Sequence, residues 1–102
     1  MMTFEELEQK VIEWAVDKGI MDKSDPKSQL LKTVSEIGEL ADAVNQDDME
    51  ELIDAVGDTL VTLIILCKMK NVEITNCLNS AYSVIANRTG SMQNGVFVKD
   101  EC

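Results

Sequence analysis

The stretch Asp25-Pro26-Lys27-Ser28-Gln29-Leu30-Leu31-Lys32-Thr33-Val34-Ser35-Glu36-Ile37-Gly38-Glu39-Leu40-Ala41-Asp42-Ala43-Val44 decides how the chain is read. Asp25 offers an N-cap and Pro26 pre-sets the first helical dihedral. Behind them Leu30, Leu31, Val34, Ile37, Leu40, Ala41 and Val44 recur at helical spacing, which predicts an amphipathic helix over 26–45. Upstream, Thr3 and Glu6 form a capping-box pattern ahead of Leu7, Val11, Trp14 and Ala15, predicting a helix over 3–18 that Gly19 closes. Downstream, Asp48 can cap a helix with Glu51 as its partner, and the run to Lys70 contains no proline and one glycine, Gly57. Asn71 is a suitable stop for this helix over 48–70. Thr75 can cap a fourth helix over 75–88 carrying Leu78, Ala81, Tyr82 and Ile85. The tail over 89–102 holds Asn94-Gly95 and Val96-Phe97-Val98, which read as a turn and a short strand or arm.

Only short loops separate these helices and no repeat interrupts them. The expected class is therefore all-α, a four-helix bundle with a short extended C-terminal arm, in one domain over 1–102. The third helix is apolar on nearly every side between Leu60 and Leu66, more than one such chain can cover, so an oligomer is expected.

Composition narrows the chemistry. The 102 residues include 19 acids, 9 Lys plus Arg and no His, giving a formal charge of -10. Such a surface disfavours nucleic acid and anionic membranes as partners. Without His there is no imidazole base, no Ser-His or Cys-His nucleophile and no His-bearing zinc site, so any chemistry must run on carboxylates. Cys67, Cys77 and Cys102 are odd in number and lack CxxC spacing, as expected of free thiols in a reducing compartment, with Cys67 and Cys77 as small core residues. Tyr82 and the six Met residues read as packing. Glu5, Glu6, Glu8 and Glu13 are incompatible with a secretory or transit signal, and the longest apolar stretch, Thr59 to Cys67, is too short to span a bilayer. A soluble, cytoplasmic protein is expected.

On a helical wheel Gln29, Lys32, Glu36 and Glu39 fall within roughly 80° beside the apolar stripe. Glu51, Asp54 and Asp58 fall within roughly 60°, and the same line continues into Val61, Thr62 and Ile65. Acids converging where a helix enters the core either protonate or recruit a cation, and Mg²⁺, a hard ion that keeps waters and binds phosphate oxygens, suits them. Lys32 on the same ridge could meet those phosphates. The bland alternative is that in so acidic a chain these are solvated faces.

The segment Gln29 to Ala41, followed by Asp54-Ala55-Val56-Gly57-Asp58-Thr59-Leu60-Val61, resembles the MazG-like nucleotide pyrophosphohydrolase family. The short phage and bacterial members share a Trp-Ala near the start, here Trp14-Ala15. They also share an ending like Asn87-Arg88-Thr89-Gly90 and Gly95-Val96-Phe97-Val98-Lys99. The resemblance implies an all-α dimer or tetramer that binds Mg²⁺, with Mn²⁺ as an alternative, and hydrolyses (d)NTP to (d)NMP and pyrophosphate. By position Glu36 and Glu39 match the second and third acids of its EExxE element, and Asp58 the last acid of ExxD. Ser35 and Ala55 stand where each element has its other Glu, so Asp54 or Glu51 would have to complete the metal set. The expected catalytic residues are Glu36, Glu39 and Asp58. The expected metal ligands are these with Glu51 and Asp54, and the expected substrate contacts are Trp14, Gln29, Lys32, Asn87, Arg88 and Lys99. Trp14 can stack on a base or fill the core, and Lys32 and Arg88 can meet phosphate or only pair with surface acids. The rival is a non-catalytic acidic helical module, an interaction or regulatory protein whose site has degenerated at Ser35 and Ala55.

Overall fold

The computed structural model describes residues 1–100. Its elements in chain order are α1 (Phe4–Asp17), α2 (Ile20–Lys23), α3 (Pro26–Asn45), α4 (Met49–Met69), α5 (Ile74–Ile85), β1 (Gly90–Gln93) and β2 (Val96–Lys99). Each boundary has a local cause. Thr3 and Glu6 form the reciprocal capping box of α1, and Asp25 accepts from the Ser28 amide at 2.7 Å with Pro26 behind it. Asp48 accepts from the Glu51 amide at 3.1 Å. Gly19 and Asn71, at φ 78° and 59°, turn the chain out of α1 and α4 through the left-handed region. At Asn94 and Gly95 both φ values are positive, 52° and 82°, the signature of a two-residue type I′ turn. The tail over 90–99 is therefore a hairpin, with Gly90 paired to Lys99 and Gln93 to Val96, rather than a lone strand.

Three expectations about the elements are corrected. The described residues hold five helices, because Gly19 redirects the chain into the single turn of α2. Thr75 is not a cap: α5 starts at Ile74 with Glu73 at the capping position and no side-chain bond. The helices also do not close a bundle, since α3 and α4 pack along their length and α1 lies on α4, whereas α5 touches α4 only lightly.

The three-residue link Gln46–Asp48 makes α3 and α4 antiparallel neighbours. Their seam is narrow and lined by small or polar residues. On α3 the buried residues are Thr33, Glu36 and Ala43; on α4 they are Ala55, Thr62, Ile64 and Ile65. Periodicity alone would bury the stripe Leu30, Leu31, Val34, Ile37, Leu40, Ala41 and Val44, yet only Leu40 is half-buried and the other six are exposed. The seam lies about a third of a turn round α3 from that stripe. Ile53, Val56 and Leu60 on α4, Leu78, Tyr82 and Ile85 on α5, and Val96, Phe97 and Val98 on the hairpin are exposed as well. So are Cys77 and Met1, Met2, Met49 and Met92, against the expectation of core packing; Cys67 is half-buried, and Cys102 lies outside the described residues.

The radius of gyration is 16.2 Å, against roughly 13 Å for a compact domain of this length. The accessible surface is 7968 Å², whereas a monomer of this mass exposes roughly 5,700 Å². No described helix is long and apolar enough to cross a membrane.

Candidate functional site

The seam between α3 and α4 opens into a cleft of about 480 Å³, lined by Trp14 of α1, Ile20 of α2, Ser28, Gln29, Lys32 and Glu36 of α3, and Asp58, Val61, Thr62 and Ile65 of α4. Helical repeat puts these residues here: 29, 32 and 36 share one face of α3, and 58, 61, 62 and 65 one face of α4. Because the helices run in opposite directions, the cleft is graded. Ser28, Gln29 and Ile65 mark one end, with Trp14 and Ile20 from the first helices, and Glu36 and Asp58 mark the other. From Gln29 to Glu36 the axial rise is about 10 Å. One end is thus mostly apolar and the other carboxylate-rich.

Glu36 is the centre of the acidic end. It is only 5% exposed. Its Oε1 meets Lys32 Nζ at 3.3 Å, while its Oε2 is buried without a hydrogen-bond partner among the described residues. Glu39, one turn on, has its carboxyl pushed above the usual glutamate range, first by a hydrogen bond shared with Glu36 and by repulsion from it, then by lost solvent and Glu51; Lys32 pulls the other way. A hydrogen bond between two carboxyl groups needs a proton on one of them, so with both ionised Oε2 of Glu36 has no donor. Asp58 is also raised, by burial first and then by Asp54 and Glu36, against Lys32.

These acids therefore disturb one another, the condition a divalent cation relieves. The orphaned buried Oε2 of Glu36 fits such a role, because a buried carboxylate oxygen needs a proton, a donor or a metal. No three of the acids converge into a closed cage among the described residues. Any cation held here would take its remaining ligands from water or phosphate oxygens.

Not every expected residue enters this cleft. Trp14, Gln29, Lys32, Glu36 and Asp58 line it. Glu39 is coupled to Glu36 from the next turn, and Asp54 to Asp58. Glu51 and Asp54 line a separate shallow hollow with Asp48, Glu50 and Ile53. Asn87, Arg88 and Lys99 do not line the cleft; they are exposed, beyond α5 and on the hairpin. Ser28, Ile20 and Val61 also line the cleft; the helical spacing of Ser28 to Lys32 and of Val61 to Asp58 is a signal for the first and last of them. Ile20 carried no sequence signal, because α2 itself was unforeseen. Ala55 is fully packed in the seam, so the acid missing from that position has no room there, whereas Ser35 faces solvent.

Residues 24–91, which carry α3, α4 and α5, match the family model of the MazG nucleotide pyrophosphohydrolase domain. The chain belongs to the MazG nucleotide pyrophosphohydrolase family. This MazG chain is 29% identical over 73 residues to an 18.2 kDa protein from the rep-hol intergenic region of Haemophilus phage HP1, an alignment covering 72% of this chain and 45% of the relative. It thus spans less than half of that relative's length. Its fold matches a MazG-like pyrophosphohydrolase of cyanophage S-2L with a TM-score of 0.74 at 22% identity, over 99% of this chain and 100% of the other. That cyanophage protein is described bound to dGDP and three catalytic Mn²⁺ ions per active site. The MazG match does not include α1, so Trp14 joins the cleft from outside the matched segment.

Proposed function

We propose that the chain is a Mg²⁺- or Mn²⁺-dependent hydrolase that cleaves (d)NTP to (d)NMP and pyrophosphate in the α3–α4 cleft. The observation that carries this reading is the buried, half-unpartnered Glu36 at the acidic end of a cleft whose other end is apolar. The grading suits a nucleotide. Trp14, Ile20, Val61 and Ile65 offer faces for a base, Gln29 and Ser28 offer hydrogen-bonding groups to its edge, and the phosphates extend toward Lys32, Glu36 and Asp58. The use of nucleotide and Mn²⁺ by the cyanophage protein of the same fold supports this assignment.

Glu36, Glu39 and Asp58 would hold the cation, with Asp54 or Glu51 adding a ligand where Ala55 cannot. When bound, a divalent ion supplies Lewis acidity toward phosphate oxygens and a lowered pKa for water. The chain's own part is positional and protic. Lys32 releases Glu36 and meets the phosphates; the Glu36 oxygen that Lys32 frees would accept a proton from the attacking water, the work His would otherwise do. Water attacks a phosphorus of the α–β linkage, and the bridging bond breaks to give (d)NMP and pyrophosphate. Trp14 and Gln29 fix the nucleoside so that this phosphorus stays in reach.

A second copy of the chain belongs to this proposal, as a homodimer or homotetramer. The excess of roughly 2,200 Å² of surface over a compact monomer exceeds the roughly 800 Å² per partner that a stable interface needs. Asn87, Arg88 and Lys99, remote from the cleft of their own chain, would then be positioned to reach a substrate only in the assembly.

The test is incubation of the purified protein with each dNTP and NTP and Mg²⁺ or Mn²⁺, followed by separation of products. Monophosphate and pyrophosphate are expected, and Glu39→Gln should abolish them. Folded protein that turns over no nucleotide supports the rival reading, a non-catalytic acidic module.

A further inference from the structure

Beneath the acids lies a polar contact that the mechanism does not use. Thr33 of α3 and Thr62 of α4, only 4% and 5% exposed, meet with their hydroxyl oxygens 2.8 Å apart. Each also backs onto its own helix: Thr33 Oγ1 lies 2.9 Å from the Gln29 carbonyl and Thr62 Oγ1 2.8 Å from the Thr59 carbonyl. Two hydroxyls carry two protons for these three links. If Thr62 donates to Thr33, Thr33 donates to Gln29; if Thr33 donates to Thr62, Thr62 donates to Thr59. The link between the helices survives in both arrangements.

This is the only side-chain hydrogen bond between α3 and α4 among the described residues, and the rest of the seam is alanine, isoleucine and Glu36. The alanines and isoleucines of the seam make no directional bond across it, so the one buried polar pair is what ties a residue of α3 to a particular residue of α4. Register matters here. With Thr33 held against Thr62, three residues along each antiparallel helix bring Glu36 level with Thr59, beside Asp58. A slip of one turn would move the two carboxylates about 5.4 Å relative to each other and break the link between the hydroxyls, leaving each threonine only the carbonyl of its own helix.

We infer that Thr33 and Thr62 are positioning residues that set the spacing of Glu36 and Asp58, and through them the affinity of the site for its divalent cation. The inference rests on the functional reading above. The acids sit on opposite helices, so nothing within either helix can fix their separation.

The experiment titrates Mn²⁺ into nucleotide-free protein and reads the free-ion signal by electron paramagnetic resonance, with thermal unfolding and circular dichroism alongside. The variants are Thr33→Val, Thr62→Val, the double Val variant and the double Ser variant. Valine keeps the shape and removes the hydroxyl; serine keeps the hydroxyl and removes the methyl. The Val variants are expected to bind Mn²⁺ about tenfold more weakly, at the lower end for residues that support a metal's ligands. The double Val variant should be no worse than the weaker single one, because the two hydroxyls act as a unit. The Ser variant should bind as the parent does even if its stability falls. Unchanged Mn²⁺ affinity in the folded Val variants overturns the inference, and so does a folded Ser variant that binds as weakly as they do. If the Val variants do not fold, the Ser variant alone decides. A parent protein that takes up no Mn²⁺ overturns the functional reading itself and this inference with it, whereas a parent that binds while the Val variants bind equally well overturns only the pairing.

Discussion

Glu36 shows most clearly what a residue's surroundings add to its identity. As a letter it is one of 19 acids; in the fold it is a buried carboxylate with one oxygen against Lys32 and the other without a partner among the described residues. Lys32 is largely exposed, so its ion pair contributes little to stability, and its value lies in being movable. Lys32→Ala is therefore expected to raise KM for the nucleotide several-fold with a smaller effect on kcat, as steady-state kinetics would show. The acids also set a pH dependence. Asp58 is raised in the folded state, mainly by burial, so the folded protein holds that proton more tightly than the unfolded chain. The metal-free protein should gain stability from this group as pH falls from its raised value toward the ordinary 3.8, and lose it as pH rises back through that window. Asp25, lowered chiefly by the Ser28 amide, works oppositely: its contribution is present above the ordinary aspartate value and lost as pH falls through its depressed one. Comparing Tm against pH for the parent and Asp58→Asn should show the first effect vanish while the acid loss from Asp25 remains.

At the scale of elements, caps and turns follow local rules and were legible. The Thr3 box, the Asp25-Pro26 and Asp48 starts, the Gly19 and Asn71 stops and the Asn94-Gly95 turn each rest on a side chain or dihedral that the residue itself supplies. Thr3→Ala should lower stability by about 1 kcal/mol, read from denaturant unfolding. Thr75 failed as a cap because a threonine is also tolerated inside the first turn, and which neighbour leaves the helix depends on how the chain arrives from α4. The hairpin has a constraint that composition hides. Gly90 lies under the Phe97 ring and against the Val98 carbonyl, with no space for a Cβ. Gly90→Ala is expected to disorder residues 90–99 while leaving the helices intact, visible as loss of strand amide protection in hydrogen exchange.

The whole molecule is more extended than its length requires, and its apolar stripes face outward. An isolated two-stranded hairpin is marginal in water, and an amphipathic helix such as α5 draws its stability from packing, so both would gain from the cover that the proposed assembly supplies. Sedimentation analysis should find a dimer or tetramer. Ile37→Glu, placed in the open stripe of α3 away from the cleft, should shift it toward monomer and lower activity together with α5 protection.

The sequence by itself determined the four long helices, the caps of α1, α3 and α4, the tight turn and the family, because each depends on neighbours within a few residues or on a motif carried in linear order; it did not determine α2 or the start of α5. Of the five acids that spacing and the family resemblance singled out, Glu36 and Asp58 line the cleft, whereas Glu39, Glu51 and Asp54 do not. What only the tertiary structure decided is which face of each helix meets its neighbour. Periodicity marks Leu30, Val34, Ile37 and Val44 as apolar but cannot say whether their partner lies in the same chain, and the seam chosen instead runs through Thr33, Glu36 and Ala43. Small residues allow the helices close approach and a buried hydroxyl pair fixes their register, an advantage that depends on both helices at once. For the same reason Glu36 is a buried group in a cleft, and not one acid on a solvated ridge.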